Sequence, residues 1–104
     1  MYEYFDFDYE NTVFEWDEEK AASNFTKHGI RFETATKVFA DENKLIRYDE
    51  EHPYEDRYDV LGRIGKVLFV VCTFKKGNVV RIISARCATE AEKARYEHGE
   101  SYDE

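Results

Sequence analysis

The chain has 104 residues, 42% of them hydrophobic and 37% charged, a composition that predicts one compact domain and excludes both a two-domain protein and a disordered chain. Its net charge of -8 argues, at face value, against a nucleic-acid ligand. No apolar run approaches the roughly 20 residues of a membrane helix, and the N-terminus lacks the basic start of a secretion signal. We therefore expect a cytoplasmic protein without a membrane segment.

The N-terminal residues 1–12 alternate aromatic and acidic side chains, as in Phe5-Asp6-Phe7-Asp8. This period of two fits either a strand with one buried face or a tail that orders only on contact. We divide the chain into an acidic, aromatic extension (residues 1–12), a single domain (13–98) and an acidic tail (99–104).

A strand over residues 13–16 and two short helices are predicted next. Asp17 is a suitable N-cap for the first helix, and Gly29 supplies its left-handed stop. The second helix is predicted from the apolar stripe of residues 32–39, which has the spacing i, i+3, i+4 and i+7.

From residue 44 the period changes to that of strands, with a turn at 50–54 around the single proline. Thr89 and Glu92 form a capping box that opens a final helix ending at Gly99. The predicted strands cover residues 44–49, 56–64, 66–74 and 78–84. The fold class is α+β: a small antiparallel sheet with two N-terminal helices packed on it and a C-terminal helix, the helices lying on one side.

The two cysteines are predicted to be free thiols. A hairpin that turns at Lys76-Gly77 sets Cys72 opposite Arg81 and Cys87 opposite Lys66, which separates the cysteines by about 20 Å, beyond disulfide reach. Cys72 is interpreted as a small core residue. Two cysteines without close spacing do not form a zinc site, and no metal or cofactor is predicted.

The charge is unevenly distributed. Residues 1–19 hold eight acidic residues and no basic one, and the last six hold three acidic residues and no basic one. Residues 20–98 hold 12 acidic and 15 basic residues, a net charge of +3. A mildly basic body attracts phosphate, while acidic ends either screen it or keep the protein soluble. An anionic ligand is therefore not excluded.

Two groups of polar residues precede the central strands. His28 follows Lys27 at the end of the first helix, three residues after Phe25, and is expected to share its buried face; alternatively it bonds a terminal carbonyl. His52, Glu55 and Arg57 cluster at the entry to a strand, where ordinary surface ion pairs are the alternative.

Two arginines lie in or beside the last strand. Arg81 interrupts an apolar run, where a guanidinium must be paired or functional. Arg86 ends the strand just before the capped helix, and a helix N-terminus beside an arginine suits a phosphate. The two are five positions apart and face opposite sides of a regular strand. Either a bulge near Ser84-Ala85 realigns them, or only one lines a site.

Segments spread over the chain from Val13 to Tyr96 follow one family pattern. In order they are Phe14-Glu15-Trp16-Asp17, Lys20-Ala21-Ala22-Ser23-Asn24, Lys27-His28-Gly29, Phe32-Glu33-Thr34-Ala35, Glu55 with Arg57, Gly62, Leu68-Phe69-Val70-Val71, and Arg81-Ile82-Ile83-Ser84-Ala85-Arg86 with Ala88-Thr89 and Tyr96. This pattern resembles the BrnT family. The resemblance implies a ribonuclease toxin of a bacterial type II toxin–antitoxin system, with a RelE-like fold and an RNA substrate. It also implies a BrnA-like antitoxin partner of the ribbon-helix-helix type, through which alone operator DNA is bound.

The chemistry that this resemblance implies can be compared with the residues present. Cleavage of RNA without a metal needs a base for the 2′-hydroxyl, cations for the charge on phosphorus and an acid for the 5′-oxygen. Glu55 or His28 is the base or the acid, arginines clamp the phosphate, and Lys27 adds a cation. The predicted catalytic residues are Lys27, His28, Glu55, Arg57, Arg81 and Arg86, with Lys75 and Lys76 of the basic hairpin tip as substrate-binding residues.

Two departures from the family pattern leave a second interpretation open. Cys87 stands where a basic residue is common, and the acidic extension precedes the usual start; both lower the positive potential. The alternative function is a catalytically weak or inactive binding module that acts through a protein partner in transcriptional autoregulation. One hypothesis for residues 1–12 is that they lie on the basic face as an RNA mimic; the alternatives are a solvated tail or an added edge strand.

Overall fold

The computed structural model describes residues 7–51 and 54–99, in which five strands and three α-helices follow the predicted order. The predicted turn at 50–54 lies partly outside these residues, as do the last five residues of the tail. The elements are β1 Val13–Glu15, α1 Glu18–His28, α2 Phe32–Thr36 with a 3-10 turn Lys37–Ala40, β2 Leu45–Asp49, β3 Arg57–Ile64, β4 Lys66–Lys75, β5 Val79–Cys87 and α3 Glu90–His98. No helix in the described part is long and apolar enough to cross a membrane.

The helix ends confirm the predicted signals. The Asp17 carboxylate accepts from the backbone N–H groups of Glu19 and Lys20 at 2.8 and 3.4 Å. Gly29 ends α1 with a φ of 71°, a left-handed conformation that glycine adopts without strain. Thr89 and Glu92 form the reciprocal capping box of α3.

The sheet is mixed, which corrects the prediction of an antiparallel sheet. Its order is β1-β5-β4-β3-β2, and β1 runs parallel to β5 with Val13 opposite Val79. The other three pairs are antiparallel. Hairpin signals identify pairs of strands that follow each other in the chain, whereas β1 reaches β5 only after most of the domain has intervened. Local sequence therefore carries no signal for the parallel pair.

The register of the β4–β5 hairpin also differs from the prediction. The turn has three residues, Lys76 to Asn78, with Gly77 and Asn78 at positive φ, so Lys75 pairs with Val79. Cys72 consequently lies opposite Ile82 rather than Arg81, and Cys87 opposite Leu68 rather than Lys66. Both cysteines are free as predicted, and Cys72 is fully buried.

The helices lie on both faces of the sheet rather than on one. The core between the sheet and α2 contains Phe32 and Phe39 against Val60 and Val70. Alternation along the strands puts Leu61 on the other face, where it packs with Tyr96 of α3. The sequence pattern marks an apolar stripe on each helix but does not say which face of a sheet receives it.

Gly62 shows how tightly the first face is packed. A Cβ at this position would lie 2.7 Å from Val38 Cβ and 2.9 Å from its carbonyl oxygen. The 3-10 turn therefore reaches β3 only because Gly62 has no side chain. This contact gives a physical reason for a glycine inside a buried strand.

The described part of the N-terminal extension packs on the same side as α2. Residues 9–11 form a 3-10 turn rather than a strand. The centroid of the Phe7 ring lies 5.5 Å from that of Phe39 and 6.3 Å from that of Phe74. The ring centroids of Tyr9 and Phe14 are 5.9 Å apart. Phe7 and Tyr9 pack against the hydrophobic core. Residues 7–12 are therefore neither a solvated tail nor an added edge strand.

Candidate functional site

A row of arginines lies on the sheet face that also carries α3. Cys72 pairs with Ile82 but Val71 pairs with Ser84, so Ile83 is an extra residue in β5. This bulge brings Arg86 to the same face as Arg81, because their partners on β4, Phe69 and Thr73, are four residues apart. Of the two alternatives left open by the sequence, the bulge is the one observed, one residue earlier than expected.

Arg57 shares this face. It precedes Tyr58, which pairs with Cys72, so its side chain lies on the side of Thr73 and Arg81. We call the surface formed by Arg57, Arg81 and Arg86 the arginine face.

Arg81 and Lys75 share one carboxylate. Glu15 Oε2 on β1 lies 3.1 Å from Arg81 Nη1 and 3.0 Å from Lys75 Nζ. The hydrogen bonds from Lys75 and Arg81 hold the pKa of Glu15 below its ordinary value. An arginine at position 81 was expected to be paired or functional, and the parallel strand β1 supplies its partner. Lys76 lies in the exposed turn next to Lys75.

Arg86 is clamped from both sides. Glu92 of α3 accepts two parallel hydrogen bonds from its guanidinium at 2.9 and 3.0 Å, and the Phe69 ring lies beneath it, with Cζ 4.1 Å from the centroid. The hydrogen bonds that Arg86 donates to Glu92 raise the pKa of Arg86. Burial raises the pKa of Glu92, but the hydrogen bonds from Arg86 and Thr89 outweigh it and lower the pKa overall. Glu92 thus has two roles at once: it caps the N-terminus of α3 and it binds Arg86.

Arg57 is paired with Glu55. Its Nε lies 2.7 Å from Glu55 Oε2, and the two side chains are 25% and 46% exposed. His52, the third member of the predicted cluster, lies outside the described residues. The pair has the geometry of the surface ion pair that was the alternative interpretation, and it borders the arginine face.

Lys27 and His28 are set apart from these arginines. Both are exposed at the end of α1, and none of the hydrogen bonds or ion pairs among residues 7–51 and 54–99 joins either one to the arginine face. The expectation that His28 shares a buried face with Phe25 is wrong, because Phe25 is 43% exposed and stacked under Arg31.

The buried position of α1 is Asn24. Its side chain donates to the carbonyls of Ile30 and Ala85 and accepts from the Ala85 N–H, at 2.9–3.1 Å. Asn24 therefore supplies hydrogen-bond partners for the backbone N–H and carbonyl of Ala85, in the part of β5 that β1 does not reach. From the sequence, Asn24 stood out only as part of the segment Lys20-Ala21-Ala22-Ser23-Asn24.

A groove that was not predicted from the sequence lies beside the arginine face. It has a volume of about 790 Å³, and its lining residues are Arg47, Tyr48, Asp49, Glu50, Glu51, Tyr58, Asp59, Phe69 and Val71. Arg47 Nη2 lies 3.4 Å from Asp59 Oδ2 inside it. The available signal was Asp59 itself, a carboxylate flanked by Tyr58 and Val60 in a strand that is otherwise apolar at its centre.

The described residues contain no group of three or more His, Cys, Asp or Glu side chains placed to hold a metal ion.

The fold and this surface define a class: small α+β proteins that display arginines, each paired with a carboxylate, on an open sheet face suited to an anionic ligand. Residues 16–92 match the family model described as ribonuclease toxin, BrnT, of type II toxin-antitoxin system, and the chain belongs to that family. The family assignment confirms the resemblance drawn from the sequence and implies an antitoxin partner.

A comparison with solved structures supports the fold. The crystal structure of the Brucella abortus ribonuclease toxin BrnT matches with a TM-score of 0.59 at 23% sequence identity, covering 76% of this chain and 100% of that chain. A search of curated proteins gave no sequence match.

Proposed function

We propose that the chain is a metal-independent endoribonuclease toxin that cleaves RNA by 2′-hydroxyl attack and inhibits translation in the cytoplasm. The observation that carries this proposal is that Arg57, Arg81 and Arg86 share one face, Arg81 and Arg86 being aligned by the bulge at Ile83. Three guanidinium groups on one surface suit successive phosphates of a single strand, or one phosphate whose charge grows in the transition state.

Each proposed step uses a side chain of this chain. The guanidinium groups hold the non-bridging oxygens, Lys75 and Lys76 attract the flanking strand, and Lys27 adds a more distant cation. Glu55 and His28 remain the sequence-derived candidates for accepting the 2′-hydroxyl proton and protonating the 5′-oxygen. We further propose the RelE-like relationship that the family resemblance implied.

The carboxylates that pair with the arginines must give way to RNA. A phosphate presents two oxygens to a guanidinium in the same planar arrangement as a carboxylate, so one can replace the other without moving the arginine. Glu15, Glu55 and Glu92 therefore hold the guanidinium groups in place before RNA arrives, at the cost of competing with it.

That competition favours a second candidate function, a catalytically weak binding module. Its supporting observation is that Glu15, Glu55 and Glu92 neutralise the charge of the three arginines. In this case the same face would serve only a protein partner. Under both functions we propose a BrnA-like antitoxin of the ribbon-helix-helix type, which alone would bind operator DNA.

Expression of the isolated gene separates the two functions. A ribonuclease toxin arrests growth when induced without its antitoxin, its RNA products end in 2′,3′-cyclic phosphates, and Arg81→Ala abolishes both effects. Normal growth, with intact RNA and a folded wild-type protein, would favour the binding module.

A further inference from the structure

Asp59 is the most deeply buried carboxylate among the described residues. It is 5% exposed, and it lies in the middle of β3, opposite Arg47 of β2 and Val71 of β4. Among the described residues it forms one ion pair, a long 3.4 Å contact with Arg47, whose side chain is 39% exposed. A carboxylate rarely occupies such a position unless it is strongly paired or has a function.

The charged groups around Asp59 come from three other elements. Burial raises the pKa of Asp59, and the charges of Asp49 on β2 and Glu92 on α3 raise it further, whereas the hydrogen bond and charge of Arg47 lower it. On β5, Arg86 is close enough for the charge of Asp59 to contribute to its raised pKa. The net pKa of Asp59 is above the ordinary aspartate value, which makes its carboxylate a stronger base than a surface one.

Asp59 also belongs to the arginine face. Asp59 lies two residues after Arg57 on β3. Across the sheet it pairs with Val71, which pairs with Ser84. Ser84 in turn lies two residues before Arg86 on β5. The backbone positions of Asp59 and Ser84 are two strands apart, about 10 Å. The groove of about 790 Å³ is lined by Asp59 together with Arg47, Phe69 and Val71, and by the acidic side chains Asp49, Glu50 and Glu51. The arginine face adjoins the groove at Phe69, on which Arg86 stacks, so the phosphate would lie at that end, away from the acidic side chains.

We propose that Asp59 is the general base that accepts the proton of the attacking 2′-hydroxyl, with the nucleotide on the 5′ side of the cleaved bond seated in the groove over Val71. This inference rests on the proposed ribonuclease function. Glu55 is bound to Arg57 at 2.7 Å and His28 is on α1, whereas Asp59 combines a groove with a weakly held carboxylate.

The step balances without a further reagent. The proton of the 2′-hydroxyl passes to Asp59 Oδ1 or Oδ2, the 2′-oxygen forms a bond to phosphorus, and the bond from phosphorus to the 5′-oxygen breaks. The leaving 5′-oxygen takes a proton from water, and Asp59 later returns its own to solvent. The products are a 2′,3′-cyclic phosphate and a 5′-hydroxyl.

The test is the pH profile of RNA cleavage by the full chain, with a labelled mixed-sequence RNA from pH 4.5 to 8.5. We expect the wild-type rate to fall at acidic pH, and Asp59→Asn to lower kcat about 10²–10⁴-fold and lose that acidic limb. Binding of a 2′-O-methyl RNA should not weaken, since a base acts on the reaction and loss of a carboxylate beside the arginines only favours phosphate. Glu33→Gln, which removes an exposed carboxylate on α2, is the matched control and should keep the wild-type profile.

A second variant keeps the proposal testable if Asp59→Asn fails to fold. Asp49→Asn removes a charge that raises the pKa of Asp59, so the acidic limb should move to lower pH. An unmoved limb, or a folded Asp59→Asn protein within tenfold of the wild-type kcat, overturns the role of Asp59 while leaving the ribonuclease function intact. A wild-type protein that cleaves no RNA at any pH overturns the proposed function itself.

Discussion

Glu15 and Arg81 lie side by side on the only parallel pair of strands among the described residues, and Glu15 Oε2 accepts from Arg81 Nη1 at 3.1 Å. The strand that brings them together is three residues long and its pairing is the one the sequence did not predict. The orientation of Arg81 thus depends on a long-range contact between the two ends of the domain.

The first prediction concerns Arg57 and Arg81. Each Arg→Ala variant should remove toxicity and lower RNA cleavage by about 10²–10³-fold, because each deletes a cation that acts most strongly in the transition state. Both side chains are partly exposed, so thermal melts should show folded proteins. Full toxicity from a folded Arg81→Ala protein would assign this arginine to structure alone.

The second prediction is that Glu15→Gln binds RNA a few-fold more tightly than the wild type at low salt. The substitution removes the carboxylate that competes with phosphate for Arg81 and Lys75. Titration of a 2′-O-methyl RNA at several salt concentrations measures the effect, which should shrink as salt rises. Glu19→Gln on α1 removes the same charge elsewhere; an equal gain from this control would show a general charge effect.

Chelation gives the third prediction. The proposed steps use side chains and water but no metal ion, so RNA cleavage should survive EDTA. The rate of RNA loss is compared before and after dialysis against the chelator. Loss of activity that a divalent ion restores would contradict the metal-independent mechanism.

The fourth prediction concerns the N-terminal extension. Because the Phe7 ring packs against Phe39 and Phe74, Phe7→Ala should lower the free energy of unfolding by about 1–3 kcal/mol. Tyr54→Ala, at a side chain 99% exposed, should change it by less than about 0.5 kcal/mol. Denaturant unfolding measures both values.

The same variant tests the RNA-mimic hypothesis for the described residues 7–12. These residues lie on the face opposite the arginines, so Phe7→Ala should not raise cleavage near 0.5 M salt, where the Debye length is about 4 Å. Higher activity at that salt would support the mimic. The part of the hypothesis that concerns residues 1–6 lies outside the described chain.

The fifth prediction is a pH dependence of stability at Glu92. Its pKa is lowered in the folded protein, so its contribution is present at neutral pH and is lost as pH falls below the ordinary glutamate value through the lowered one. Glu92→Gln should therefore cost about 1 kcal/mol at pH 7, a few degrees in Tm, and progressively less towards pH 3. Thermal melts across this range measure the difference; a gap that stays constant with pH would contradict the ion pair with Arg86.

The sequence was most informative where the deciding contacts are local. Asp17, Gly29 and the Thr89–Glu92 box act within one helical turn, and each helix boundary they predict is observed within one residue. The hairpin register was wrong because one extra turn residue and one bulge residue shift every pair after them. Neither the extra turn residue nor the bulge residue produces a regular pattern in the sequence like the apolar stripe of a helix.

In the candidate site, too, the sequence identified individual residues but not their long-range partners. The arginines stood out as charges inside strand sequence, but their partners come from β1, the loop before β3, and α3. Asp59 was missed because its position between Tyr58 and Val60 is unusual for a carboxylate but does not show that β2 and β4 bury it. The order of the strands determines which charged side chains form ion pairs. That order depends on pairings between residues far apart in the chain.

The bulge at Ile83 has a consequence for how the chain tolerates changes in length. Surface loops usually accept insertions and deletions because their backbone makes few fixed contacts. Loss of one residue between Ile82 and Ser84 would instead rotate the rest of β5 by half a turn, exchanging the buried Ala85 with Arg86. It would also carry the start of α3 to the wrong side of the sheet. A single-residue deletion at this point would therefore remove both the core and the arginine face, although no charged residue had been changed.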